Sequence, residues 1–122
     1  MIKEDLYNEL KDNAGVSAIV STRVFFGSPI EQQSEEYITY RLDPAEEYDD
    51  VRSMARFRIF CFSKDTKDAD DLANAVKTAL DGNTSLNSNP YYKIHVFSKV
   101  DGNTRLNNGF YYTTIRVEIQ YS

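Results

Sequence analysis

Apolar residues recur at two different periods along this chain, and the changes of period divide it into predicted helices and strands. Ile2, Leu6 and Leu10 repeat every four residues with Tyr7 beside them, while Lys3, Glu4, Asp5, Glu9 and Lys11 fill the other faces. That spacing predicts an amphipathic helix. Asn13-Ala14-Gly15 predicts its end, with Gly15 suited to a left-handed cap. Val16, Ile19 and Val20 predict a further short helical turn. Arg23-Val24-Phe25-Phe26 predicts a short strand, stopped by Gly27-Ser28-Pro29, and the polar residues 30–36 predict a loop. Tyr37 to Leu42 are rich in β-branched and aromatic residues and predict a second strand, ended at Pro44.

A third strand is predicted over residues 52–63, where the alternation separates two sets. Ala55, Phe57, Ile59 and Cys61 are wholly apolar and are assigned to the core. Met54, Arg56, Arg58, Phe60 and Phe62 share the opposite face, cationic at one end and aromatic at the other. The clearest helix follows, over about residues 66–81. Ala69, Leu72, Ala73, Val76 and Leu80 form one apolar stripe, and Ser63, Asp65 or Thr66 can cap the start. Asp68, Asp70 and Asp71 sit near its positive end, and Asp81-Gly82-Asn83 closes it.

Two late strands complete the pattern. Tyr92, Ile94, Val96 and Ser98 alternate with Tyr91, Lys93, His95 and Phe97. Tyr111, Thr113, Ile115, Val117, Ile119 and Tyr121 alternate with a mixed set from Phe110 to Gln120. A turn rich in Gly and Asn joins them and predicts a hairpin. Asp-Gly-Asn-Thr occurs twice, at residues 81–84 and 101–104, and two copies are too few for a repeat architecture. The expected fold class is α+β: a mostly antiparallel sheet of four or five strands in one domain, with the long helix and the N-terminal helix packed on one face.

Composition narrows the function classes. The chain has 122 residues, 41% hydrophobic and 27% charged, as in an ordinary globular domain, with no run long enough to span a membrane. Its net charge of −5 disfavours a general grip on phosphate backbones. One Cys precludes an internal disulfide, and with one His it leaves too few ligands for a zinc site of those types. The first residues do not read as a signal peptide, so a reducing cytoplasm is the expected place of synthesis.

The search for a site finds no nucleophile placed beside His95, no phosphate-binding glycine loop and no motif for a cofactor. Neither an enzyme nor a cofactor is expected. Cys61 falls on the core face and behaves there as a small apolar group. Two features invite a role in binding. Asp43, Glu46, Glu47, Asp49 and Asp50 crowd one segment that must be exposed, and Arg52, Arg56 and Arg58 follow directly. These eight residues are the candidates for a subunit interface or a channel lining. Phe60, Phe62, Tyr91, Phe97, Phe110 and Tyr112 are left on faces opposite the expected core, and aromatics with arginine are the residues enriched at protein interfaces. The same mixture also fits single strands of nucleic acid stacking on a sheet.

Several stretches together resemble the tail-completion or tail-terminator proteins of long-tailed bacteriophages and prophages. They are the Leu6-x-x-x-Leu10 helix followed by Gly15-Val16-x-Ala18-x-Val20; Thr22-Arg23-Val24-Phe25 with Pro29 and Tyr37-Ile38-Thr39-Tyr40; Arg56 to Phe62; and the helix from Asp68 to Gly82. The resemblance implies an α+β subunit that forms a ring, usually a hexamer, at the head-proximal end of the tail tube. Its implied partners are other copies of itself, the tail-tube protein and the head connector protein. DNA passes through the channel without specific binding, no membrane is involved, and the protein resides in the tail or neck of the virion. Another neck or head–tail connector protein is the neighbouring alternative, and a single-stranded nucleic-acid-binding module is the alternative from a different class.

Overall fold

The structure is a computed structural model and describes residues 2–27, 33–42, 54–81, 92–100, 106 and 109–121. Three helices and five strands are described, in the order α1 (Ile2–Asp12), α2 (Ala14–Val20), β1 (Val24–Phe26), β2 (Tyr37–Leu42), β3 (Met54–Ser63), α3 (Thr66–Leu80), β4 (Tyr92–Val100) and β5 (Tyr111–Tyr121). The strands form one sheet in the order β1-β2-β3-β5-β4. Only β1 and β2 run parallel; every other pairing is antiparallel. The α+β class, the long helix and the terminal hairpin therefore stand as expected.

The core follows from the alternation. Phe57, Ile59 and Cys61 of β3 lie opposite Val117, Ile115 and Thr113 of β5, and all six are buried. Ile38 and Tyr40 extend these rows through β2 and Val96 through β4, and Ile94 lies opposite Ile119 in a further buried row. Leu72, Ala73, Val76 and Leu80 of α3 close over this face, and Leu6, Leu10, Val16 and Val20 of α1 and α2 complete the layer. The helices thus cover one face of the sheet and leave the other without a helical layer among the described residues.

Local chemistry departs from the expected pattern at Gly15 and at Ser98, and adds detail at the α3 cap and at Phe110. Gly15 does not end α1 as a left-handed cap. It lies inside α2, where Asn13 is the N-cap and its side-chain oxygen accepts the amides of Gly15 and Val16 at 3.0 and 3.1 Å. The left-handed residue falls instead at Ser21, φ 55°, after α2. At α3, Asp65 is the cap, accepting the Lys67 amide at 2.7 Å, and Ser63 supports it by accepting the Asp65 amide. The strict alternation through Ser98 fails. The register shifts between Val96 and Ser98, so Ser98 pairs with Arg116 instead of Ile115, as a bulge of one residue requires. Phe110 lies opposite the core cluster as expected, against Tyr37, and is buried there, 1% exposed. The Asp-Gly-Asn-Thr turns beyond Asp81 lie outside the described residues.

Arg23 fixes the parallel pair. Its Nε donates to the Glu36 carbonyl at 2.7 Å, one guanidinium nitrogen donates to the Ile19 carbonyl, and the other lies 3.2 Å from Glu35. One side chain so ties the end of α2 to the entry of β2. At the other edge, the Asp81 carboxylate accepts the amide of Val96 at 3.0 Å, satisfying a donor of edge strand β4 that would otherwise invite a further strand.

Ile59 is fully buried between two strands and α3, so Ile59→Ala is expected to cost about 2–5 kcal/mol in urea unfolding. Asp81→Ala is expected to cost about 1 kcal/mol and to speed hydrogen exchange at the Val96 amide.

Candidate interaction face of the sheet

The face without helices is ordered into rows by the strand register. Tyr37, Phe62 and Tyr112 lie side by side across β2, β3 and β5. Next come Thr39, Phe60 and Thr114, then Arg41, Arg58 and Arg116, then Arg56 and Glu118 with His95. The gradient from aromatic to cationic noted on β3 alone therefore runs across three strands. Adjacent strands are about 4.8 Å apart, so the arginine row concentrates three positive charges in a short span. Like charges directly opposite one another repel, and Arg58 and Arg116 each have interaction partners within the chain.

The aromatic end is a packed cluster. Tyr37 stacks on Phe62 with ring centres 4.5 Å apart and planes inclined by 6°, and it meets Phe110 edge-on at 5.3 Å. Phe60, Phe62 and Tyr112 lie within 5.7 to 6.4 Å of one another. Phe110 reaches this cluster through a tight turn, in which the Gly109 amide donates to the Leu106 carbonyl and the Leu106 amide to the Phe110 carbonyl. Gly109 has φ 87°, a conformation glycine adopts without strain. The turn brings Leu106 to one wall of a cleft of about 300 Å³ whose other walls are Gly27, Tyr37, Thr39, Arg41, Phe60 and Phe62. Arg41 lies over the Phe60 ring at 4.9 Å, and Lys64 is 5.8 Å from the Phe110 ring, so cations border the cluster.

Of the eight residues singled out in the sequence, Arg56 and Arg58 are described and lie half-buried on this face. Arg56 pairs with Glu118 at 3.6 Å, so part of its charge is met within the chain. Asp43, Glu46, Glu47, Asp49, Asp50 and Arg52 lie outside the described residues, as does Tyr91. Arg41, Arg116 and Tyr37 were not singled out in the sequence. The register of β2 on β3 brings Tyr37, Thr39 and Arg41 onto this face beside β3 and β5.

A second cleft opens at the β1 edge, on the helical side. Glu4 and Tyr7 of α1 line it with Phe26 and Tyr40, and its volume is about 390 Å³. Phe26 meets Tyr40 edge-on at 5.3 Å and stands 47% exposed, the one large exposed apolar side chain among the described residues. The Tyr40 phenol is pushed up to about 12 by burial first, then by the Glu4 carboxylate and by Tyr7.

His95 is exposed on β4, and its Nδ1 is 3.8 Å from Asp81. Cys61 is buried and free, and burial raises its thiol well above the usual range. Among the described residues, no group of three or more His, Cys, Asp or Glu could hold a metal ion, and no helix is long and apolar enough to cross a membrane.

No protein-family model matches the chain, and no curated protein matches it. Among solved structures, the fold is similar to that of a chain in the virion of native gene transfer agent (GTA) particle. The TM-score is 0.67 at 19% sequence identity, with 95% of this chain and 90% of that chain covered. The likeness spans the whole layout of sheet and helices.

Tyr40 gives a pH test. An unfolded chain releases this proton near 10.0 and the folded one near 12, so between these values the folded state holds more protons and stability falls as pH rises. Below pH 10 the contribution is constant. Tyr40→Phe is expected to reduce the loss of stability in this window, measured by urea unfolding at several pH values. Thiol reagents at pH 8 are expected to leave Cys61 unlabelled until the protein unfolds.

Proposed function

We propose that this chain is a structural, non-enzymatic subunit of a phage-like virion. In the finer reading it is a tail-terminator or tail-completion protein. A ring of copies, a hexamer by the family resemblance, would end tail polymerisation at the head-proximal end of the tube and join tail to head. The observation that carries the reading is the shared fold with a virion chain at a TM-score of 0.67, over nearly the full length of both. The sequence resemblance to tail-completion proteins, reached independently from the residues, points to the same setting.

The sheet supports it. A face that is aromatic at one end and cationic at the other, with no helical cover among the described residues, has the composition of a protein interface. The tail-tube protein, the head connector and further copies of this chain are the partners this reading names. DNA would pass through the ring without sticking. Asp43, Glu46, Glu47, Asp49 and Asp50 suit a channel lining on this reading, because their charge repels phosphate. Arg52, Arg56 and Arg58 suit a subunit contact.

One observation favours a second reading. The row of Arg41, Arg58 and Arg116 beside half-buried aromatic rings is also what a platform for single-stranded nucleic acid requires.

Light scattering after size exclusion separates the two. The protein is measured across a concentration series, alone and with the tail-tube protein of the same particle. A closed multimer of uniform mass, alone or on mixing, is the expected result. A monomer under both conditions that binds oligonucleotides with a strong salt dependence would overturn the virion reading in favour of the second.

A further inference from the structure

The cleft at the β1 edge and the arginine row lie on opposite faces of the same strand. Tyr40 points to the cleft, and Arg41, the next residue of β2, points to the bare face. Their chemistries are complementary. The cleft combines the exposed Glu4 carboxylate with two tyrosine rings and the exposed Phe26. Such a site accepts a cation from a protein side chain, through charge and through the ring faces. Tyr7 already holds one cation in this way, with Lys11 Nζ 5.3 Å from its ring centre. Arg41 is exposed on the face that carries no helix among the described residues, and leads the row that continues through Arg58 and Arg116.

We propose that the Glu4, Tyr7, Phe26 and Tyr40 cleft of one copy receives the Arg41 side of the bare sheet face of a second copy of this chain. This deepens the virion reading and rests on it, by naming the two surfaces through which copies meet. Because the surfaces differ and face opposite ways, the contact is head-to-tail rather than two-fold. Repeated, it closes into a ring or grows as a filament. Phe26 is then the apolar anchor at the rim of the cleft, which accounts for a large apolar side chain held exposed at an edge strand.

Charge reversal tests this under whichever condition makes the wild-type protein assemble. Glu4→Arg and Arg41→Glu change exposed residues, and circular dichroism and thermal unfolding check that each variant keeps its fold. Each alone is expected to lower the assembled fraction at least tenfold in light scattering. An equimolar mixture of the two is expected to recover assembly. Arg41 of one then meets the intact Glu4 of the other, and the reversed pair fits the remaining contacts. Assembly of either single variant at the wild-type level, or a mixture that stays monomeric, would overturn the proposal while leaving the virion reading in place. Loss of tail-tube binding by Glu4→Arg with self-assembly intact would also overturn it and assign the cleft to the tube. A wild-type protein that never assembles would overturn both.

Discussion

Everything in this molecule is arranged around the pairing of β3 with β5. The two strands share ten residue pairs at the centre of the sheet. Phe57 lies opposite Val117, Ile59 opposite Ile115 and Cys61 opposite Thr113, and α3 packs onto that surface. A slip of β3 by one residue would turn Phe57, Ile59 and Cys61 to the other face and bring Arg56 and Arg58 under the helix. Burying two guanidinium groups in the apolar core is costly, so the register is set by the core and the opposite face inherits its order from it.

That inheritance links stability to interaction chemistry. The arginine row exists because the residues between the core positions of β2, β3 and β5 coincide in register. The aromatic rows arise in the same way at the other end, where the Leu106–Phe110 turn and Tyr37 complete the packing. One end of the face is therefore held rigid by ring contacts, while the other carries charge. The sheet edges are treated differently as well. Edge strand β4 is bulged and has an amide tied to Asp81, whereas β1 is three residues long and stands beside a cleft with an exposed phenylalanine.

Much of the fold was legible in the sequence. The period-four spacing of Leu6 and Leu10, the apolar stripe of α3 and the alternation in β3 and β5 each reflect burial on one face, which periodicity reports directly. The Gly15 assignment failed because Asn13 competes as the N-cap of α2, which places Gly15 inside the second helix. The bulge in β4 left no signal in the alternation. Phe110 lies opposite the core cluster, as its alternation indicated, and what the alternation did not show is that the turn with Leu106 buries it there. The site was half legible. The polarity of β3's outer face was visible, but the contributions of Arg41 and Arg116 depend on which strands are neighbours, and the parallel β1–β2 pair could not be read from local pattern. The β1-edge cleft joins residues from α1, β1 and β2 and has no contiguous motif at all.

The central claim is that the helix-free face of the sheet is where this protein meets its partners. Hydroxyl-radical footprinting of the aromatic side chains, compared between dilute and assembled protein, tests it most directly. Phe60, Phe62 and Tyr112, half-buried in the single chain, should lose reactivity on assembly. Unchanged reactivity at these three, with protection appearing instead on the outer surface of α3, would contradict it.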